Sequence, residues 1–181
     1  MILASKSSRR KELLEYITKD FRVEVSDVDE TLNLDNEIVK EVEQLSYRKS
    51  LAVFKHNLDE VVIGADTVVV IENEILGKPK NFDEAFLMLK KLNNNMHEVI
   101  TGVTIFSKKK SITFSCISQV FFKDISDEEI ADYINECSPY DKAGSYGIQD
   151  KAALFIKGIV GDYYNVMGLP ICLLNENLKK L

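Results

Sequence analysis

An aspartate stands between two apolar, β-branched runs: Val61-Val62-Ile63-Gly64 lies before it, Val68-Val69-Val70-Ile71 after it, and Ala65-Asp66-Thr67 joins them. Runs of this kind fit a pleated, buried surface and are expected to form strands in the core of a sheet. An ionised carboxylate inside such a sheet is costly unless a metal, a hydrogen-bond donor or a water-filled cleft satisfies it. Open α/β sheets hold their ligands at strand ends. Asp66 therefore marks either a ligand site or a turn whose backbone N–H groups satisfy the carboxylate. Spacing alone leaves both readings open.

The rest of the chain alternates less regularly. Met1-Ile2-Leu3-Ala4 is expected as a strand, and Ser7 can cap a helix running to about Ile17 with Leu13 and Leu14 buried. A strand is expected at Phe21 to Val25, followed by a polar loop through Asp27, Asp29 and Glu30. The next helix carries apolar or small residues at Ile38, Val42, Leu45 and Ala52, at helical steps. Lys49 falls on that stripe. Asn81 with Glu84, and Ser126 with Glu129, have capping-box spacing and each predicts a helix start. His97 to Phe106 and Ile112 to Phe122 are expected as paired strands around Lys108-Lys109-Lys110. Short strands at Tyr146 to Ile148 and Leu154 to Ile159 and a helix from Ile171 to about Leu178 complete the reading. Adjacent strand pairs without strict βαβ alternation predict a mixed sheet flanked by helices.

At 181 residues with 45% hydrophobic content, the chain has enough material for one well-cored domain, expected to span residues 1–181. A formal charge of −6 argues against nucleic-acid binding through a broad basic face. The longest apolar run is far short of a membrane span, and no signal-peptide pattern opens the chain. Three dispersed cysteines form no CxxC pair, and two histidines are too few for a His-rich zinc site. These features point to a cytoplasmic protein with reduced thiols and neither a nucleic acid nor a membrane as partner.

Four segments carry polar chemistry. Ala4-Ser5-Lys6-Ser7-Ser8-Arg9-Arg10 sets two arginines at a helix start, where positive charge is mildly unfavourable unless an anion is present. An ordinary Ser-capped surface helix with solvated arginines fits the same residues. Gly64-Ala65-Asp66-Thr67 is the second. Gly77-Lys78-Pro79, the third, is a lysine in a tight turn. The fourth, Asp141-Lys142-Ala143-Gly144-Ser145-Tyr146-Gly147-Ile148-Gln149, combines glycines that permit close backbone approach with a carboxamide that both donates and accepts. Lys49 on its apolar stripe either snorkels to solvent or faces an anion.

Read in order, these segments resemble the Maf family of nucleoside triphosphate pyrophosphatases over essentially the whole chain. Ile2 through Leu14, Ile63-Gly64-Ala65-Asp66-Thr67-Val68-Val69 and Leu76-Gly77-Lys78-Pro79 are similar to three of its motifs. His97 through Val103, Asp141 through Gln149 and Gly161 through Pro170 are similar to three more. The resemblance implies an elongated, twisted mixed β-sheet flanked by helices, with a cleft, similar to that of inosine triphosphate pyrophosphatases. It also implies a divalent cation, Mg²⁺ or Mn²⁺, a nucleoside triphosphate substrate and a homodimer. By position, Asp66 is the proton acceptor. Ser5, Arg9, Arg10, Lys49 and Lys78 line the polyphosphate site, and Glu30 helps Asp66 hold metal.

Arg9, Thr67 and Gln149 resemble the subgroup that hydrolyses dTTP and UTP. The chemistry agrees, because thymine and uracil present an N–H donor flanked by carbonyl acceptors, which a carboxamide can match. Ser8 stands where the family usually has proline, Ser46 where it has alanine, and Asn94 and Asp150 where it has glycines. Asparagine and aspartate tolerate left-handed backbone better than most residues. An ordinary aspartate is a poor base for water, so a metal that lowers the pKa of water and offsets phosphate charge is expected to assist. The alternative is a nucleotide-binding regulatory protein of cell division without significant turnover. A pure polyanion binder gains nothing from a carboxylate beside the phosphates, which disfavours it.

Overall fold

The computed structural model describes residues 1–33 and 36–181. They fall into two compact units. The first comprises Met1–Thr67, Ile100–Cys116 and Tyr164–Leu181, the second Val68–Val99 and Ile117–Tyr163.

In the first unit β1 (Ile2–Leu3) pairs in parallel with β2 (Arg22–Val23) on one side and with β3 (Val62–Ile71) on the other. The registers are Ile2 to Arg22 and Ile2 to Val62. Next to β3 come β5 (Met96–Phe106) and β6 (Ser111–Phe122). Helix α1 (Ser8–Leu14) starts from Ser7, whose hydroxyl accepts the Arg10 backbone N–H at 3.3 Å. Ser8 thus takes the first helical position, where a proline is tolerated because its missing N–H would have no partner in the helix. Leu13 and Leu14 are fully buried, each worth about 1.5–3 kcal/mol of apolar burial. Helix α2 (Ile38–Phe54) buries Val42, Leu45, Ser46, Lys49, Ser50 and Val53. Tyr47 and, at the helix end, Phe54 pack against Phe106, with ring centroids 5.1 Å apart in both pairs.

In the second unit the later half of β3 turns back on β4 (Glu74–Leu76) in an antiparallel hairpin, with Val70 opposite Ile75. Its two turn residues, Glu72 and Asn73, both have positive φ, as a tight right-twisting hairpin requires. Strand β6 pairs antiparallel with β7 (Ile156–Val160), with a bulge between Phe121 and Phe122. Helices α3 (Phe82–Leu92) and α4 (Asp127–Cys137) pack on one another. Ser126 and Glu129 form the reciprocal capping box at the start of α4. At α3 only half of that device forms: Asn81 accepts the Glu84 N–H, whereas the Glu84 carboxylate accepts from Lys80. The core here includes His97, Phe122, Tyr133, Tyr146 and Phe155, in edge-on ring contacts 5.0–6.3 Å apart.

The sheet mixes parallel and antiparallel pairs and is flanked by helices, so the α/β class expected from sequence is the one observed. Details differ. The two runs expected as separate strands form the single strand Val62–Ile71, because the backbone continues in extended form through Asp66. Tyr146 to Ile148 is not a strand; it lies between short 3-10 turns at Ala143–Ser145 and Lys151–Leu154. Asn94 adopts the left-handed conformation, φ 52°, whereas Asp150 is extended at φ −104° and caps the turn that follows by accepting the Ala152 N–H. Near the C-terminus α5 (Tyr163–Met167) precedes α6 (Ile171–Leu178). Among the described residues no helix is long and apolar enough to cross a membrane.

Candidate active site

Two glycines let α2 lie unusually close to the sheet. A Cβ on Gly102 of β5 would stand 2.6 Å from the Val42 carbonyl oxygen of α2. One on Gly64 of β3 would stand 2.3 Å from Ser50 Oγ and 3.0 Å from Ser50 N. Ser46 fills the same seam: its hydroxyl donates to the Glu43 carbonyl at 2.7 Å and lies 2.8 Å from Thr104 Oγ1 of β5. Ser50 Oγ lies 2.9 Å from the Ser46 carbonyl and 3.0 Å from that of Thr104, and shares its one proton between them. This seam fixes the depth of α2, and Lys49 follows.

Side chains alternate along a strand, so Gly64 and Asp66 share the face of β3 that meets α2, and Thr67 takes the other. Lys49, only 7% exposed, brings its Nζ to 2.6 Å from Asp66 Oδ1 and 3.1 Å from Glu30 Oε1. The lysine on the apolar stripe therefore faces carboxylates and does not snorkel. Asp66 is nearly buried, its side chain 15% exposed, whereas that of Glu30 is 56% exposed.

Arg10 organises the other face. Its Nε donates to the Gly168 carbonyl at 2.8 Å, one terminal nitrogen to Ser5 Oγ at 3.2 Å, and the other to Thr67 Oγ1 at 2.9 Å. One guanidinium thus joins the loop after β1, the middle of β3 and the loop after α5. Burial draws the Arg10 pKa below its ordinary value; the Asp66 charge opposes that, and Arg9 reinforces it. A guanidinium has five N–H donors, so two of those of Arg10 have no hydrogen-bond partner among the described residues. Ser5 Oγ accepts from both Arg10 and the Ser7 N–H, at 3.2 Å each, so its own proton is left to donate.

Ser5, Arg9, Arg10, Glu30, Lys49, Asp66 and Thr67 all belong to the first unit. Lys78 and Gln149 belong to the second, and both are exposed. The loop carrying Gln149 is tightly tied: the Gly147 N–H donates to Tyr133 Oη at 3.2 Å, and that hydroxyl donates to Asp150 Oδ2 at 3.3 Å. Burial, aided by the Asp150 charge, raises the Tyr133 pKa and keeps that donor in place. Sequence reading missed Thr101, a fully buried β5 residue whose Oγ1 lies 2.9 Å from Thr67 Oγ1. Its sequence signals are a hydroxyl within the apolar run Val99-Ile100-Thr101-Gly102-Val103 and its place in the motif-like segment His97 through Val103.

Among the described residues no group of three or more His, Cys, Asp or Glu side chains could hold a metal. The donor set at Lys49 is two carboxylates drawn to one cationic centre. Mg²⁺ typically takes one or two carboxylates and completes its shell with water and substrate phosphates, so Asp66 and Glu30 fit such a cation.

The fold is shared with a protein of known structure, the Ham1 protein of Staphylococcus aureus, at a TM-score of 0.56 over 99% of this chain and 97% of that one. Sequence identity there is 17%, so the likeness is one of fold. The profile of the family described as "Maf-like protein" matches residues 1–181, and the chain belongs to that family. It is 48% identical to a protein of Bacillus cereus (strain G9842) named dTTP/UTP pyrophosphatase, over 99% of this chain and 94% of the relative. Relatives of the same name from Geobacillus sp. (strain WCH70) and Alkaliphilus metalliredigens (strain QYMF) are also 48% identical. They match over 100% and 99% of this chain, and over 97% and 95% of their own lengths.

Proposed function

We propose that this protein hydrolyses dTTP and UTP to the nucleoside monophosphate and pyrophosphate. The observation that carries the reading is the buried Lys49 ammonium set against Asp66 in a chain 48% identical to proteins named for that activity. Water attacks the α-phosphorus, the bond from that phosphorus to the bridging oxygen breaks, and pyrophosphate leaves with the bond electrons. Asp66 accepts the proton of the attacking water. Lys49 holds the carboxylate at one oxygen and faces the phosphates with its remaining N–H. Ser5 donates its free proton to a phosphate oxygen, and Arg9, the two remaining Arg10 N–H groups and Lys78 add positive charge against the polyphosphate. Asp66 and Glu30 would hold Mg²⁺ or Mn²⁺, which when bound offsets charge on the phosphates. Gln149 pairs its carboxamide with the imide edge of the pyrimidine. The enzyme acts in the cytoplasm as a homodimer.

Hydrolysis in ¹⁸O-labelled water tests the bond assignment. The label is expected in the monophosphate; label in pyrophosphate would place the attack at the β-phosphorus and contradict the bond assignment.

A further inference from the structure

The two carboxylates that fit a divalent cation are the two that Lys49 already holds. An ammonium only donates and a carboxylate only accepts, so both contacts have a fixed sense: Nζ donates to Asp66 Oδ1 at 2.6 Å and stands 3.1 Å from Glu30 Oε1. Neither Lys49 nor Asp66 can withdraw far. Lys49 is buried on a helix whose depth Gly64 and Gly102 fix, and Asp66 lies within the continuous strand β3. Glu30 belongs to no helix or strand and is exposed, so it is the partner that can exchange. The ammonium offsets one of the two negative charges, and Arg10 senses the same pair: burial lowers its pKa, and the charges of Asp66 and Glu30 oppose that. A dication at these carboxylates therefore meets positive charge already in contact with them, in a place where screening by water is reduced. A triphosphate changes the balance, because its charge attracts the ammonium and the cation alike.

We propose that Lys49 is a built-in competitor of the divalent cation, holding Asp66 and Glu30 until a nucleotide polyphosphate engages its ammonium. In the nucleotide-free protein the cation is then bound weakly, and it enters together with the nucleotide. Lys49 can keep Asp66 Oδ1 throughout, with Glu30 the carboxylate that changes partner. Coupling of this kind is reciprocal: a nucleotide that raises the affinity for the cation has its own affinity raised by the same factor. The inference rests on the part of the functional reading that sets the cation at Asp66 and Glu30 beside the phosphates.

The test is Mn²⁺ binding to the nucleotide-free full chain, followed by the electron paramagnetic resonance signal of unbound Mn²⁺, for wild type and Lys49→Met, Lys49→Gln and Lys49→Arg. Removing the charge is expected to tighten Mn²⁺ binding about tenfold or more. Adding Glu30→Gln to Lys49→Met is expected to cancel the gain. Arginine keeps the charge and should keep the weak binding. Should the methionine variant not fold, the glutamine variant, which retains a donor beside Asp66, gives the same reading. A lysine with a structural role alone would lower stability on removal without raising cation affinity. Mn²⁺ bound no more tightly by the methionine and glutamine variants than by wild type overturns the inference, as does a gain that survives Glu30→Gln. Failure of the functional reading looks different: a wild-type protein that releases no pyrophosphate from dTTP or UTP, with the Mn²⁺ affinities ordered as expected, removes the substrate assignment and leaves the competition standing.

Discussion

The Nζ of Lys49 and Oδ1 of Asp66 lie 2.6 Å apart, joining the middle of α2 to the middle of β3 in a place where both side chains are largely out of water. Charge-assisted contacts this short are strong, and removing one partner of a buried pair leaves the other uncompensated. Lys49→Met is expected to lower stability by about 1–3 kcal/mol, since Asp66 keeps some access to solvent. Adding Asp66→Asn to it should restore most of that loss. Denaturant midpoints of the two single variants and the double variant measure the coupling; additive losses would mean the pair contributes nothing as a pair.

The depth of α2 is set by Gly102 and Gly64, so an added methyl group there should disturb the lysine without touching it. Gly102→Ala places a Cβ 2.6 Å from a backbone oxygen that cannot rotate away. Overpacking of this kind costs about 1–3 kcal/mol. The expected outcome is a lower Tm and a lower kcat/KM for dTTP. A variant with wild-type values of both would show that α2 has slack at this seam.

The candidate site was partly legible because two of its residues broke a pattern. Lys49 interrupts an apolar helical stripe, Asp66 an apolar strand, and each is the other's reason. The same interruption misled at a finer level: Ala65-Asp66-Thr67 looks like a gap between strands, yet the backbone runs on because Lys49 satisfies one face and Arg10 the other. Those partners are 17 and 57 residues away in sequence. Tyr146 to Ile148 has β-forming residues but belongs to a loop held by the hydrogen bonds of Tyr133 and Asp150, and no local preference encodes that. Thr101 is the clearest omission, since its contact is with Thr67, 34 residues away in sequence.

His97 gives a pH dependence. It is 1% exposed, its Nε2 lies 2.7 Å from Tyr146 Oη, and among the described residues its Nδ1 has no partner. Burial lowers its pKa from 6.5 to about 4. The unfolded chain therefore takes up this proton before the folded one does. The stability contributed by the neutral ring is complete above about pH 6.5, is lost as pH falls toward 4, and changes no further below that, a total of about 3 kcal/mol. His97→Gln should flatten this part of the stability profile in urea titrations at stepped pH. An unaltered slope in the variant would assign the acid sensitivity to other groups.

Gln149→Glu replaces an amide donor with an acceptor in nearly the same volume. A pyrimidine carbonyl would then face a carboxylate, and kcat/KM for dTTP should fall roughly 5- to 150-fold, given about 1–3 kcal/mol for a mismatched buried polar contact. GTP should lose much less. Equal losses for dTTP, UTP and GTP would confine Gln149 to shaping its loop.

The central claim is tested most directly by kcat/KM for pyrophosphate release from dTTP, UTP, ATP and GTP in Mg²⁺, with wild-type protein and Asp66→Asn side by side. The account predicts that dTTP and UTP are the best substrates. It also predicts that the asparagine variant, folded by circular dichroism, loses on the order of 10²–10⁴ in rate, the usual contribution of a positioned proton acceptor. Turnover of dTTP by Asp66→Asn near the wild-type rate, or a wild-type preference for ATP or GTP, would contradict it.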